Sequence, residues 1–424
     1  MTGRRRQGWQ SLVMFLLFSA CGVTQQQDPN PPPGNVPPPG TLDTTFGQQG
    51  VLPLDQATVQ AGVVEAALST DGSVILLYPV GGDIGVARVR PGAATQATTV
   101  DAGGEESPVA VAVGTDGKII VAGMSDSRFV AARLGANLAL DPTFGTQGMV
   151  TWPDPAHAEP GGQELRAMAF QPDGKVILAG TSGPGTDSAD ILLVRLTAAG
   201  QTDGTFGTSG VVRTSLEVLQ PSPGASSSRD EAFTVAVQAN GRILVGGRYR
   251  NAFDTAGVLL RYLPDGQLDA TFGTAGTVRG TSQGRVYLLR VAADGSIYAN
   301  NEVEKYTSYL GLSIGKYDTT GAPQGSTGHF AWRESAVPPT LLNDFRVSGG
   351  QLVAGGVTVA EQSVDAPLGG IARFGSDLKL DASFGTAGTG KVYVQAGDDV
   401  RRVLIQPDGK IVTVGFKSVQ RYWP

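Results

Sequence analysis

Side chains able to do chemistry are unevenly placed along this chain of 424 residues. Acids, histidines and tryptophans gather in the stretches 152–163, 181–190, 220–230, 248–254, 321–340 and 358–367. These hold Trp152, Asp154, His157, Glu159, Asp187, Asp190, Arg229, Asp230, His329, Trp332, Arg333, Glu334, Glu361 and Asp365. Paired carboxylates at a suitable separation serve glycosidases and lyases, and an exposed Trp can stack on a sugar ring. The acids share no spacing, however, so no catalytic, cofactor-binding or metal-ligating residue is assigned from them, and no cofactor is expected. Cys21 is the single cysteine, which excludes a disulfide within the chain and a cysteine-bearing zinc cluster. His157 and His329 are too few for a histidine-rich metal site. P-loop and His-Glu-x-x-His strings are absent.

These stretches interrupt a repeating framework with three marks. The first is a hairpin glycine between apolar runs, at Gly72, Gly117, Gly174, Gly241, Gly295, Gly350 and Gly409. Most copies read Asp-Gly or Asn-Gly, the strongest short-range hairpin signal. The second is a basic residue in a later apolar strand: Arg88, Arg133, Arg195, Arg261, Lys316, Arg373 and Arg421. The third is Leu-Asp-x-x-Phe-Gly-x-x-Gly, centred on Phe46, Phe144, Phe206, Phe272 and Phe384, with the Leu replaced before Asp203. Worn copies of this third mark are expected near 91–100 and 319–330.

Each repeat supplies about four short strands, and one such sheet cannot bury both of its apolar faces alone. Stacking like sheets around a ring buries them without caps, as in propellers. The spacing therefore predicts an all-β fold, a β-propeller of seven blades with about four antiparallel strands each. Residues 41–54, which carry an unpaired third mark and a strand, are expected to lock the ring by joining the last blade. The Asp-Gly pairs read as turns, because no acids follow at the alternate positions of a calcium loop. Arg133, Arg195, Arg261 and Arg373 each precede an Asp by eight residues, which predicts ion pairs that tether turns.

Taken together, the three marks resemble the delta-60 repeats of bacterial secreted and surface proteins. The resemblance covers residues 41–424 and implies a β-propeller, without an assigned activity. The amino terminus carries a second resemblance. Arg4-Arg5-Arg6, an apolar run from Leu12 to Phe18, and Ser19-Ala20-Cys21 make a secretory signal. Its end resembles the lipobox of bacterial lipoproteins, which implies cleavage before Cys21 and lipidation of its thiol. The domains expected are a signal peptide (1–20), a lipidated Cys21 with a Pro-rich tether (21–40), and the propeller (41–424).

The 32 basic and 38 acidic side chains give a net charge of -6, and loss of Arg4, Arg5 and Arg6 with residues 1–20 leaves 29 against 38, or -9. That sign disfavours nucleic acid as a partner. The expected location is the bacterial cell envelope, with the exported chain attached to a membrane through lipid. The function read from these features is a non-catalytic lipoprotein scaffold for a protein, glycan or wall polymer, and not an enzyme. The alternatives are a propeller-based hydrolase or lyase acting on extracellular polysaccharide, and a purely structural surface protein.

Overall fold

The computed structural model describes residues 37–153, 162–183, 188–219, 227–280, 284–300, 313–328, 340–358, 368–385, 388–394 and 397–424. Cys21, the signal segment and most of the tether lie outside them. Among the described residues the strands form seven four-stranded antiparallel sheets. Blade 1 comprises Glu65–Leu68, Val74–Val80, Asp83–Val89 and Gln96–Val100. Blade 2 comprises Glu106–Val113, Ile119–Ser125, Arg128–Leu134 and Met149–Trp152. Blades 3 to 6 begin with the strands Gln163–Phe170, Arg229–Val237, Leu289–Val291 and Thr340–Ser348. Each of the first six blades uses four consecutive strands, and the first strands of neighbouring blades meet one another around the whole ring.

Blade 7 closes the ring. Its strands Arg402–Ile405, Ile411–Val414 and Ser418–Tyr422 are joined at the outer edge by Val51–Pro53, with Val51 opposite Gln420. The predicted locking role of residues 41–54 is therefore observed. Asp43 N–H also donates to the Arg421 carbonyl at 2.8 Å, and Trp423 N–H to the Thr41 carbonyl at 2.9 Å.

All seven hairpin glycines have positive φ, from 76° at Gly117 to 86° at Gly409. In the Asp-Gly copies the aspartate stays outside the left-handed region, and its carboxylate accepts the N–H two residues on, as in Asp116 with Lys118 at 3.1 Å. The second strand that follows is sandwiched between blades, so its apolar run is buried along nearly its full length, as in Val176–Ser182.

The third mark forms the turn between strands three and four. Its Phe is buried at Phe46, Phe144, Phe206, Phe272 and Phe384. The guanidinium of the preceding Arg lies over that ring, 4.6 Å away for Arg195 on Phe206. The eight-residue pairs form as expected: Arg195 to Asp203 at 2.7 Å and Arg261 to Asp269 at 2.9 Å. Arg195 also donates to the Pro264 carbonyl of the next blade, and Arg261 to Thr319, so each pair staples neighbours. After four of the hairpin glycines a basic residue, Lys118, Lys175, Arg242 or Lys410, completes the cluster, with Lys175 3.2 Å from Asp203 and Lys410 3.2 Å from Asp43. The worn copies differ from expectation. Blade 1 runs directly into Gln96–Val100 and blade 5 into Pro323–Ser326, and among the described residues no buried Phe of this mark stands at either place, Phe330 lying outside them.

Candidate functional site

The two faces of the propeller differ. One carries the Asp-Gly hairpins and the Phe-Gly turns, both consumed in holding blades together. The other carries the loops between strands two and three and the crossings from one blade to the next. The stretches singled out above emerge from strand ends on this crossing face, and 321–340 also contains the outer strand of blade 5.

At the junction of blades 1 and 2 three carboxylates converge there: Asp83, Asp101 and Glu106, whose ligand-capable oxygens lie within 4.8 Å of one another. Asp83 begins the third strand of blade 1, Asp101 follows its fourth, and Glu106 opens the inner strand of blade 2. The crossing is tight. Gly103 N–H donates to Asp101 Oδ1 at 2.7 Å, Gly104 N–H to Glu106 Oε1 at 3.0 Å, and Glu106 N–H to the Gly82 carbonyl at 2.6 Å. A side chain at position 104 would meet Ser125 Oγ at 2.6 Å and Asp126 Oδ2 at 2.9 Å, so any larger residue here would displace those side chains.

Glu106 is 6% exposed, and its Oε2 is buried without a hydrogen-bond partner. Burying a carboxylate oxygen with no donor is costly. A divalent cation would remove that cost. Oxygens bound to Ca²⁺ at about 2.3–2.6 Å can stand up to about 5 Å apart across the ion, which the observed separations allow. Asp101 is exposed and Asp83 half-buried, so an ion held here keeps a side open to solvent.

A second carboxylate group occupies the corresponding position between blades 3 and 4. Asp190 begins a third strand, as Asp83 does, and Asp230 lies in the first turn of an inner strand, its N–H bonded to the Ala189 carbonyl at 2.7 Å. Burial pushes the Asp230 carboxyl up to about 7. The Leu216 N–H at 2.6 Å and Ser228 Oγ at 3.0 Å oppose the rise, and the charges of Asp190 and Glu217 add to it. Burial likewise raises Asp190. Asp230 is fully buried and holds the start of the short helix Leu216–Leu219, so as it stands it shapes the crossing rather than touching a ligand.

The structure thus brings two of the sequence candidates, Asp190 and Asp230, together. Arg229 pairs with Glu231 at 3.2 Å. Trp152 is buried against Phe129 at 5.4 Å and presents no sugar platform. Asp154, His157, Glu159, Asp187, His329, Trp332, Arg333, Glu334, Glu361 and Asp365 lie outside the described residues. So does Ser282, the middle of a Gly-x-Ser-x-Gly string (280–284). Sequence reasoning missed Asp83, Asp101 and Glu106. The available signal was the acid-rich crossing Asp-Ala-Gly-Gly-Glu-Glu at 101–106.

Comparison with known proteins places this geometry. Residues 114–144, 171–206 and 238–272 match a family described as a domain of unknown function (DUF5122) beta-propeller. Each matched segment starts at a first hairpin and ends at the buried Phe of the same blade, in blades 2, 3 and 4. No curated protein matches the chain. Solved structures similar to it include virginiamycin B lyase from Staphylococcus aureus, at 10% identity and a TM-score of 0.52, covering 88% of this chain and 99% of that one. A catalytically inactive form of that lyase with quinupristin gives 10% identity, a TM-score of 0.51 and the same coverage. At this identity the likeness establishes the propeller. The expectation of a non-catalytic scaffold, and of a chain that is not an enzyme, is corrected here. The crossing face holds converged carboxylates with an unsatisfied buried oxygen, an arrangement suited to cation-assisted chemistry.

Proposed function

We propose that the chain is a propeller enzyme of the lyase or hydrolase class acting on extracellular polysaccharide, with a divalent cation held by Asp83, Asp101 and Glu106. The observation that carries this reading is Glu106 Oε2, buried and unpartnered beside two further carboxylates. A bound cation there would polarise a substrate oxygen or lower the pKa of a bound water. The lyase class of the similar solved propeller supports the choice of reaction.

The reading includes placement. The resemblance of the three marks to the delta-60 repeats supports a body of that kind, and the lipobox-like end of residues 1–21 supports a lipoprotein of a bacterial envelope. A cleaved, diacylated Cys21 would hold the enzyme stably at a membrane, where one acyl chain alone binds marginally. Mass spectrometry of the mature amino terminus, with Cys21→Ser released from the membrane fraction, tests the anchor.

The activity is tested by incubating the full chain with a panel of extracellular polysaccharides, with and without chelator. The expected result is cation-dependent release of new chain ends from at least one polymer, abolished in Glu106→Gln. Cleavage unaffected by chelator and by Glu106→Gln would overturn the role of the cluster, and absence of cleavage across the panel with cation present would overturn the enzyme reading.

A further inference from the structure

Between blades 4 and 5 the hairpin face departs from its repeat. The residue that opens a hairpin accepts the N–H of the hairpin glycine: Gln171 in blade 3, Gln238 in blade 4 and Gln406 in blade 7, each at 2.9 Å. In blade 5 Ala292 takes this place, also at 2.9 Å. The next residue is Pro172 in blade 3 and Pro407 in blade 7, but Ala239 in blade 4 and Ala293 in blade 5. These three alanines line a cleft of about 830 Å³ between the hairpins of blades 4 and 5. Small-ligand clefts have volumes of about 300–1,000 Å³. At the junction of blades 3 and 4 the bulkier Gln238 and Pro172 hold the places of Ala292 and Ala239.

Gln238 forms part of the cleft wall. It is 6% exposed, yet its Oε1 is buried and accepts no hydrogen bond among the described residues. A buried acceptor left without a donor is costly. The cations of the wall are already committed. Arg242 donates to Asp269 at 2.8 Å. Arg261 donates to Asp269 at 2.9 Å, to Thr271 at 3.1 Å and to the Thr319 carbonyl. With the exposed Asp294, two guanidiniums stand against two carboxylates, and the cleft has no net charge. What it offers a ligand is a neutral acceptor beside the apolar side chains of Val237 and Val291. Gln171 Oε1 is equally unmet, at the junction that lacks Ala239 and Ala292, and so supplies a control.

We infer that the cleft between blades 4 and 5 binds a short neutral saccharide, one hydroxyl of which donates to Gln238 Oε1. A sugar supplies both halves of what the cleft asks for: hydroxyl donors for the amide oxygen and Asp294, and C–H groups to lie on Val237 and Val291. An anionic ligand would bring an acceptor to an acceptor. A cationic one would meet Arg242 and Arg261. The cleft lies on the hairpin face, away from the carboxylates of the crossing face, so this is a second saccharide site. It stands on Gln238 and the cleft, independently of the cation cluster.

The test is saturation-transfer NMR of the full chain, in chelator, with short neutral oligomers of glucose, xylose and N-acetylglucosamine, and with oligogalacturonate and chitosan oligomers as charged probes. At least one neutral oligomer is expected to bind with a dissociation constant on the order of 1 mM, the strength of a few hydrogen bonds without an aromatic platform. Gln238→Leu should weaken it at least about tenfold, the worth of one well-made hydrogen bond. Its melting temperature should hold or rise, because the variant removes an unmet acceptor. Ala292→Leu, which refills the cleft, should abolish binding, and Gln171→Leu should leave it unchanged. No binding of any neutral oligomer, tighter binding of a charged probe, or binding that survives Gln238→Leu and Ala292→Leu would each overturn the inference. So would a lowered melting temperature in Gln238→Leu, which would mark that side chain as structural. Binding that persists in Glu106→Gln, in a chain that cleaves no polymer, would uphold the cleft and remove the enzyme reading instead.

Discussion

Asp203 shows how one residue type is used in two ways in this fold. Burial alone would raise its carboxyl, yet the Thr205 hydroxyl and N–H, Lys175 and Arg195 together hold it down at about 2. Asp269 is held at about 2 by the same kinds of donor. A depressed carboxyl stabilises the fold above its unfolded value of about 4, and that contribution is lost as pH falls toward about 2. Acid unfolding is therefore expected to steepen between about pH 4 and 2, and Asp203→Asn should flatten that limb in melts followed by circular dichroism. Asp230 has the opposite sign. Its carboxyl, raised to about 7, favours folding when protonated, so its contribution is lost as pH rises from about 4 toward 7. Asp230→Asn keeps an oxygen for the Leu216 N–H, and is expected to remove the decline in melting temperature over that range. An unchanged profile in Asp230→Asn would refute the assignment.

Blades are held by repeated triads, and the strongest element-level test lies there. Arg195 is buried, joins Asp203, covers Phe206 and reaches the next blade at Pro264. Arg195→Ala is expected to cost about 3 kcal/mol, because it leaves the buried Asp203 carboxylate with Lys175 as its one nearby cation. Arg195→Lys should recover little, since lysine lacks the planar fork. Urea unfolding measures both, and a loss under about 0.5 kcal/mol, the range of ordinary surface substitutions, would contradict the triad's role. The offset of eight from Arg to Asp made this pairing legible in the sequence, because the same spacing recurs. The third partner, the basic residue after the hairpin glycine, was equally periodic, but its reach across the sheet to the same carboxylate exists only in three dimensions. The glycines that face breaks in strand register, such as Gly180 beside the break between Leu165 and Ala167, were hidden for another reason. Gly180 sits inside an apolar run, and nothing local distinguishes a strand glycine that admits a neighbouring carbonyl from a neutral one.

At the scale of the molecule, ring closure joins residues 378 positions apart, Asp43 and Arg421, with Lys410 beside them. Removing residues 37–54 would leave Ser418–Tyr422 as an open edge, and open edges pair with other chains. A lowered melting temperature with self-association in ultracentrifugation is expected, and an unchanged melt of a monomer would show that closure does not hold the ring. The architecture was legible because every blade must solve the same burial problem with the same letters. The candidate site was not, because its three carboxylates lie outside the three repeated marks, in two blades, and converge only when the crossing at 101–106 folds. The proposed site sits where the repeat is broken, on the crossing face.

The account turns on whether Asp83, Asp101 and Glu106 hold a cation. Calorimetric titration of the metal-stripped full chain with Ca²⁺, and then with Mn²⁺, tests this most directly. Saturable binding at this cluster is expected, lost in Glu106→Gln and in Asp101→Asn while the fold persists. No binding of either ion, or binding that survives both substitutions, would contradict it.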